Sequence, residues 1–183
     1  MGDGKMIPHN GQMFNEYPDN SYLINTPDFL YSFSVFVTFV LCRSVYQLTQ
    51  LCVPHLIKTK GSIVNISSIN SERAFPGVLA YCMSKTALDH FTRCLALELA
   101  PKQVRVNSVR PGVIITEVHK RAGMDEKEYA KLLAECKQTH ALGRPGEVEE
   151  VAQSIAFLAS DAASFITGVN LPIDGGRHAM CPF

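Results

Sequence analysis

The chain has 183 residues, of which 46% are hydrophobic, enough for one buried core and a single domain. Lys and Arg together number 17, as do Asp and Glu, so the zero net charge favours neither nucleic acid nor an anionic membrane as a partner. The six cysteines and six histidines show no metal-ligand spacing, which predicts no metal site and favours reduced thiols in a cytoplasmic protein over disulfides.

The N-terminal region divides into a polar leader and an apolar run. Residues 1–25 are rich in Gly, Asn and Pro and are predicted to lack fixed structure, whereas one domain is predicted over 26–183. Thr26-Pro27-Asp28 is a typical helix start. The uncharged run from Phe29 to Cys42 favours a buried or interfacial helix, with a strand as the second interpretation. A membrane anchor comes last, because a span needs about 20 residues.

From Arg43 onward, predicted helices and strands alternate along the chain. Hydrophobic periodicity predicts helices over 43–59, 79–99, 124–139 and 147–160. Apolar segments predict strands over 61–67, 104–109 and 168–173, the first with the composition of a strand covered on both faces. Pro54 is expected to kink the first helix or to end its regular hydrogen bonding. The alternation predicts an α/β protein with a parallel sheet and right-handed crossovers.

Three residues form a candidate acid–base set. Ser68 follows the first predicted strand, and Tyr81 and Lys85 share one face of the next predicted helix because they lie four residues apart. An ammonium ion favours a phenolate, so we expect Lys85 to lower the pKa of Tyr81. Such a tyrosine can exchange a proton with an alcohol or a carbonyl oxygen that Ser68 also contacts. In the alternative, the Tyr–Lys pair is solvated, Ser68 only caps a turn, or Ser67 takes its role.

This set resembles the site of the short-chain dehydrogenase/reductase family, which transfers hydride between NAD or NADP and a carbonyl compound or alcohol. Three further segments resemble the same family: Asn107–Thr116, Gly143–Ala152 and Phe165–Gly176. The resemblance covers residues 43–176. It implies a Rossmann-like, doubly wound parallel sheet with flanking helices, and a small carbonyl or alcohol substrate whose pocket is bordered by the loop 69–79.

The resemblance also implies roles for individual residues. Tyr81 would be the general acid/base, Ser68 would polarise the substrate oxygen, and Lys85 would also hold the nicotinamide ribose. The implied cofactor contacts are Tyr81, Lys85, Pro111, Gly112 and Thr116. The histidines 119, 140 and 178 could line a substrate pocket, although ordinary surface or buried roles are favoured for them.

Part of the family pattern is missing. Members carry near their N-terminus a strand, a Gly-rich turn and a helix that hold the cofactor pyrophosphate. Residues 1–60 contain only Gly2, Gly4 and Gly11, and none follows a predicted strand. Family members also carry an Asn in the helix before the strand predicted here over 61–67, and this chain has Leu41 at the corresponding position. We therefore expect a truncated domain that lacks the cofactor-binding half.

Two functions remain open from the sequence. The first is an NAD(P)-dependent oxidoreductase that uses the Ser–Tyr–Lys set. The alternative is a non-catalytic variant that joins full-length family members in an oligomer through the helices 43–59 and 79–99. In a third possibility the chain does not fold stably alone, because removing the first strands would expose a sheet edge and its faces.

Overall fold

The computed structural model describes residues 29–181, with side chains described from Cys42 onward. The helices are α1 (Phe29–Thr59), α2 (Leu79–Leu99), α3 (Val118–Arg121), α4 (Glu126–Thr139) and α5 (Val148–Ala159). The strands are β1 (Ser62–Ile66), β2 (Arg105–Pro111) and β3 (Asn170–Ile173). Short 3-10 turns include Ile69–Ser71, directly after β1, and Arg177–Ala179, after β3.

The three strands form one parallel sheet in the order β1-β2-β3. Ile66 at the end of β1 lies opposite Val109, and Pro111 at the end of β2 lies opposite Ile173. Because parallel strands end at the same edge of a sheet, the segments after β1, β2 and β3 meet there. The α/β class predicted from the alternating pattern is confirmed.

Helices cover both faces of the sheet, as expected for a doubly wound fold. On one face, Val106 of β2 packs with Ala96 and Leu99 of α2, and Val53 and Leu56 of α1 join them. On the other face, a second cluster is built around α5: its buried members are Val109, Leu158 and Ala163. The side chains of β1 divide the same way, since Ile63 contacts the first cluster and Val64 the second. The prediction of a strand covered on both faces therefore holds for these residues.

The apolar run that begins at Phe29 is helical and continuous with the helix predicted from Arg43. Its helix interpretation is therefore confirmed for the backbone and its strand interpretation is wrong, while the burial of residues 29–41 lies outside the described side chains. Pro54 does not end α1, which continues to Thr59. Within residues 29–181, no helix is long and apolar enough to cross a membrane. The predictions for residues 1–25 and for the helix start at Thr26 lie outside the described residues.

Capping side chains explain where the last two long helices begin. Asp125 accepts hydrogen bonds from the backbone N–H groups of Lys127 and Glu128, so α4 starts at Glu126 rather than at the predicted Met124. Glu147 forms the corresponding capping box with Glu150 and lies just before α5. Carboxylates at these two positions also complement the positive ends of the helix dipoles.

Leu158 tests the α5 side of the core. Its side chain is 1% exposed, so Leu158→Ala should reduce the free energy of unfolding by about 2–5 kcal/mol through lost burial and an unfilled cavity. Leu142→Ala, at a side chain that is 69% exposed, is the matched control and should change stability by about 0.5 kcal/mol or less. Urea unfolding followed by circular dichroism measures both; equal losses would contradict this description of the core.

Candidate active site

The structure brings Ser68, Tyr81 and Lys85 together at the carboxyl edge of the sheet. Ser68 lies two residues beyond β1, and Tyr81 and Lys85 lie in the first two turns of α2. Ser68 lies close enough to Tyr81 for its hydroxyl to lower the pKa of the phenol. The Lys85 Nζ atom lies 5.5 Å from the centre of the Tyr81 ring. The spacing that suggested this set in the sequence therefore corresponds to a spatial cluster.

Local backbone geometry orients the Ser68 hydroxyl. Ser68 is the N-cap of the turn Ile69–Ser71, and its Oγ accepts a hydrogen bond from the Asn70 N–H at 3.1 Å. The Ser71 hydroxyl donates to the Ser68 carbonyl oxygen at 2.7 Å. Since the Ser68 Oγ already accepts from the backbone, its own proton is available for the Tyr81 oxygen. Ser68 thus caps a turn and keeps a hydroxyl proton to donate.

Ser67, the alternative serine, points elsewhere. Its hydroxyl donates to the Lys85 carbonyl oxygen at 3.4 Å, and its N–H donates to the Val109 carbonyl at 2.8 Å. Ser67 therefore links β1 to α2 and to β2 through backbone groups. This geometry favours Ser68 as the residue facing the phenol.

The electrostatics of Tyr81 differ from the expectation that Lys85 lowers its pKa. Burial raises the pKa of Tyr81 above its ordinary value of 10.0, the hydrogen bond from Ser68 lowers it in part, and the neighbouring Cys82 raises it. The predicted direction was wrong because removal of water from the phenol outweighs the nearby charges. With its pKa raised, Tyr81 holds its proton at neutral pH.

The Lys85 ammonium group is directed to the backbone of β1. Its Nζ donates to the Ile66 carbonyl oxygen at 2.8 Å. Burial lowers the pKa of Lys85 below its ordinary value, while Asp89 and Cys42 partly counteract that effect. An ammonium group carries three donors, so this contact leaves Lys85 with others to offer a ligand.

Pro111 and Gly112 lie at the same edge of the sheet, and Gly112 occupies a tightly packed position. Gly112 donates its N–H to the Ile173 carbonyl at 3.0 Å, and a Cβ there would lie 2.9 Å from the His140 Nε2 atom. Close packing alone thus requires glycine. The Thr116 hydroxyl donates to the Ile114 carbonyl at 3.5 Å and accepts from the Val118 N–H at 3.4 Å. A cofactor contact by Thr116 stays a prediction.

Comparison with known proteins places these residues in a family. A family model described as enoyl-(acyl carrier protein) reductase matches residues 36–178. The chain is 42% identical over 131 residues to meso-2,3-butanediol dehydrogenase of Serratia marcescens, covering 72% of this chain and 50% of that protein. It is 43% identical over 135 residues to the 3-oxoacyl-[acyl-carrier-protein] reductase FabG of Thermotoga maritima, covering 73% and 52%.

Solved structures give the same result. A short-chain dehydrogenase/reductase of unknown function from Caenorhabditis elegans, solved with cofactor, aligns with a TM-score of 0.77 and 35% identity over 82% of this chain and 58% of that one. The aldohexose dehydrogenase of Thermoplasma acidophilum aligns with a TM-score of 0.80 and 34% identity, covering 89% and 66%. This chain belongs to the short-chain dehydrogenase/reductase family. It spans about half the length of the curated family members that it matches.

The family implies a nicotinamide dinucleotide, and the described residues fit one end of it. The Tyr81 hydroxyl and the Lys85 ammonium share one helix face, with donors suited to ribose hydroxyls. Residues 29–181 thus contain donors suited to the nicotinamide end of such a cofactor. Among those residues, no group of three or more His, Cys, Asp or Glu side chains could hold a metal ion.

A cavity of about 260 Å³ lies between the segments that follow β2 and β3. Its wall includes Ile114, Ile173 and His178. The buried Asp174 carboxylate lies 3.0 Å from the His178 Nδ1 atom and accepts the His178 N–H at 2.7 Å. Sequence analysis named His178 but missed Asp174 as its partner, although four-residue spacing after a strand could have indicated the pair.

His119 and His140 have different surroundings. His119 lies beside the Tyr129 ring, with 6.2 Å between ring centres, and partial burial lowers its pKa. His140 is buried, and its Nε2 atom accepts a hydrogen bond from the Val113 N–H at 3.2 Å. Burial also lowers the pKa of His140; Arg177 lowers it further, and Asp174 partly opposes this. His140 is thus a satisfied buried imidazole that must stay neutral at Nε2 to accept from Val113.

His140 should make the fold sensitive to acid. Its pKa is lowered in the folded state, so the unfolded chain takes up a proton first as the pH falls below about 6.5. Unfolding free energy should therefore decrease from that pH downward, until the folded state also protonates. His140→Gln should weaken this dependence, whereas His90→Gln, at an exposed histidine of α2, should preserve it. Urea unfolding at a series of pH values measures the slopes; identical slopes for the two variants would exclude the assignment.

Proposed function

We propose that this chain carries the acid–base site of an NAD(P)-dependent oxidoreductase that interconverts a small carbonyl compound and its alcohol. The observation that carries the proposal is the clustering of Ser68, Tyr81 and Lys85 at the carboxyl edge of the sheet, with the Lys85 Nζ atom 5.5 Å from the centre of the Tyr81 ring. Family membership supports the reaction class. A cytoplasmic location is part of the proposal, because the cysteine spacing in the sequence favours reduced thiols.

The chemistry follows from the protonation state of Tyr81. A phenol that keeps its proton at neutral pH can give it to a carbonyl oxygen as negative charge develops there. Ser68 is 8% exposed, and its hydroxyl is placed to donate to the same oxygen. A bound nicotinamide dinucleotide would supply the hydride for the carbonyl carbon. Lys85 would hold the ribose of that cofactor with the donors that Ile66 does not use.

Calorimetric titration of the purified chain with NADH and with NADPH tests this proposal first. Saturable binding would support the oxidoreductase, and comparison of the two cofactors would identify the preferred one. Absence of binding to a sample with a cooperative unfolding transition would reject the proposal for this chain alone. The measurement needs no knowledge of the substrate.

Tyr81→Phe isolates the role of the phenol oxygen. Loss of the proton donor should reduce turnover by about 10²–10⁴-fold, because general acid catalysis contributes about that much. Cofactor affinity should change far less, since the ring and Lys85 remain. Tyr46→Phe is the matched control, because Tyr46 is 52% exposed on α1 and its hydroxyl accepts a hydrogen bond from Gln50, away from Ser68 and Lys85. Steady-state rates with a carbonyl substrate measure both variants; undiminished turnover by Tyr81→Phe would contradict the mechanism.

A second proposal is association with another copy or with a longer family member through α1 and α2. The two helices pack on each other, with Tyr46 and Phe91 in edge contact at 6.2 Å between ring centres. Large apolar side chains remain exposed on both helices: Leu48 (63%), Leu51 (73%), Met83 (56%) and Leu97 (78%). Exposed apolar groups at this density are typical of a protein interface. In this alternative the chain acts as a non-catalytic partner, with the helices 43–59 and 79–99 as its binding surface.

Charge introduced on this surface should prevent association. Leu51→Lys combined with Met83→Lys would place ammonium groups in an interface that excludes water, which is unfavourable. We expect the oligomer to shift to monomer in sedimentation velocity experiments. Phe165→Lys is the control, because Phe165 is equally apolar and fully exposed but lies in the loop before β3. An unchanged oligomer in the double variant would locate the interface elsewhere.

A further inference from the structure

Arg110 connects two elements of the candidate site from the central strand. It is the residue before Pro111 at the end of β2, and its side chain is 14% exposed. Its Nε donates to the Asp89 Oδ2 atom at 2.6 Å, and its Nη1 donates to the Glu72 Oε2 atom at 2.5 Å. Two different nitrogens of one planar guanidinium thus hold two carboxylates that come from different parts of the chain.

Each carboxylate belongs to an element that carries part of the acid–base set. Asp89 lies on α2 one turn after Lys85, and its side chain is 3% exposed. Glu72 is the C-cap of the turn whose N-cap is Ser68. The guanidinium therefore ties the Ser68 turn to the Tyr81 helix.

The Asp89 end of this connection is fixed by further contacts. The Ser108 hydroxyl lies 3.4 Å from Asp89 Oδ1 and donates to the nearer Asn170 Oδ1 at 2.6 Å, and the Asn170 amide donates to the Asp89 carbonyl at 3.5 Å. On the turn side, the Thr86 hydroxyl of α2 donates to the Ser71 carbonyl at 2.8 Å. Asp89 thus lies beside polar groups of β2 and β3. The turn is joined to α2 through Thr86 and contains the buried Ile69, and the bond from Arg110 to Glu72 adds a charged link.

We propose that Arg110 is a positioning residue, which holds the Ser68 turn against α2 so that the Ser68 hydroxyl meets the Tyr81 oxygen. The importance of this placement for catalysis rests on the proposed function, but the placement itself does not. A lysine at this position would present a single point charge and could not reproduce the two directed contacts of the fork.

Glu72 offers a mild way to test the connection. Replacing Arg110 itself would leave the Asp89 carboxylate buried without its cation, which can unfold the protein. The Glu72 side chain is 47% exposed, so Glu72→Ala removes one of the two carboxylates that Arg110 contacts with little risk to folding. Glu72→Gln is the conservative variant, because its amide oxygen can still accept from Arg110.

The readout is the ionisation of Tyr81 in the full chain. Isotope-labelled tyrosine rings are titrated by NMR, with Tyr81→Phe identifying the signal and circular dichroism confirming the fold at each pH. Loss of the Ser68 contact should raise the pKa of Tyr81 further in Glu72→Ala, whereas Glu72→Gln, which keeps an acceptor for Arg110, should not raise it. Merely removing a negative charge nearby would lower the pKa, so the sign separates positioning from simple electrostatics.

A second background makes the test specific. In chains that also carry Ser68→Ala, Glu72→Ala should no longer raise the pKa of Tyr81, because the contact through which Arg110 acts is already gone. An unchanged or lowered pKa in Glu72→Ala, or an equal rise with and without Ser68, would overturn the proposal. The titration requires no cofactor, so failure of the oxidoreductase proposal in calorimetry would leave this result independent.

Discussion

Burial of β2 on both faces is the constraint on which the arrangement depends. Val106 and Val109 are both 0% exposed but belong to different clusters, one against α2 and one against α5. With β1 and β3 on either side, β2 cannot slip by one residue without exchanging these two faces. The register of β2 also positions the segment that follows β1, because the Val109 carbonyl accepts the Ser67 N–H at 2.8 Å. Ser68 is placed by this strand as much as by its own turn.

Polar groups inside the core add directional contacts to the apolar packing. The Asn65 amide of β1 donates to the Thr92 hydroxyl of α2 at 2.9 Å. The buried Asn107 donates to the Ile166 carbonyl at 2.9 Å and accepts from the Val169 N–H at 3.1 Å. Across the described residues, no buried side-chain nitrogen or oxygen lacks a hydrogen-bond partner. Because an unpaired buried polar group is costly, these bonds restrict α2 and the approach to β3 to one position. The proposed acid–base set, divided between the segment after β1 and α2, needs such a restriction.

The sequence predicted elements well where local signals were strong. The bounds of α2 match because its apolar residues recur at helical spacing and Pro101 follows its end. The run from Phe29 was ambiguous because uncharged Phe, Val and Thr fit both helix and strand, and only the full structure shows the helix. The cluster of Ser68, Tyr81 and Lys85 was predictable from spacing, whereas the Arg110 contacts join residues distant in sequence. The Tyr81 pKa was predicted in the wrong direction because spacing shows which groups are near but not how much water each loses.

That difference in electrostatics affects how the site would work. Lys85 was expected to stabilise a phenolate, yet its Nζ is bonded to the Ile66 carbonyl and the dominant influence on Tyr81 is burial. Tyr81 is still 37% exposed, so a ligand that covers the ring would remove more water and raise its pKa further unless the ligand itself brought positive charge. An uncharged carbonyl compound brings none. Binding would thus keep the Tyr81 phenol protonated until negative charge develops on the substrate oxygen. Ser68 and Tyr81 could then both donate to that oxygen. The same Tyr81 oxygen would accept that proton in the reverse reaction, because a catalyst uses one transition state in both directions.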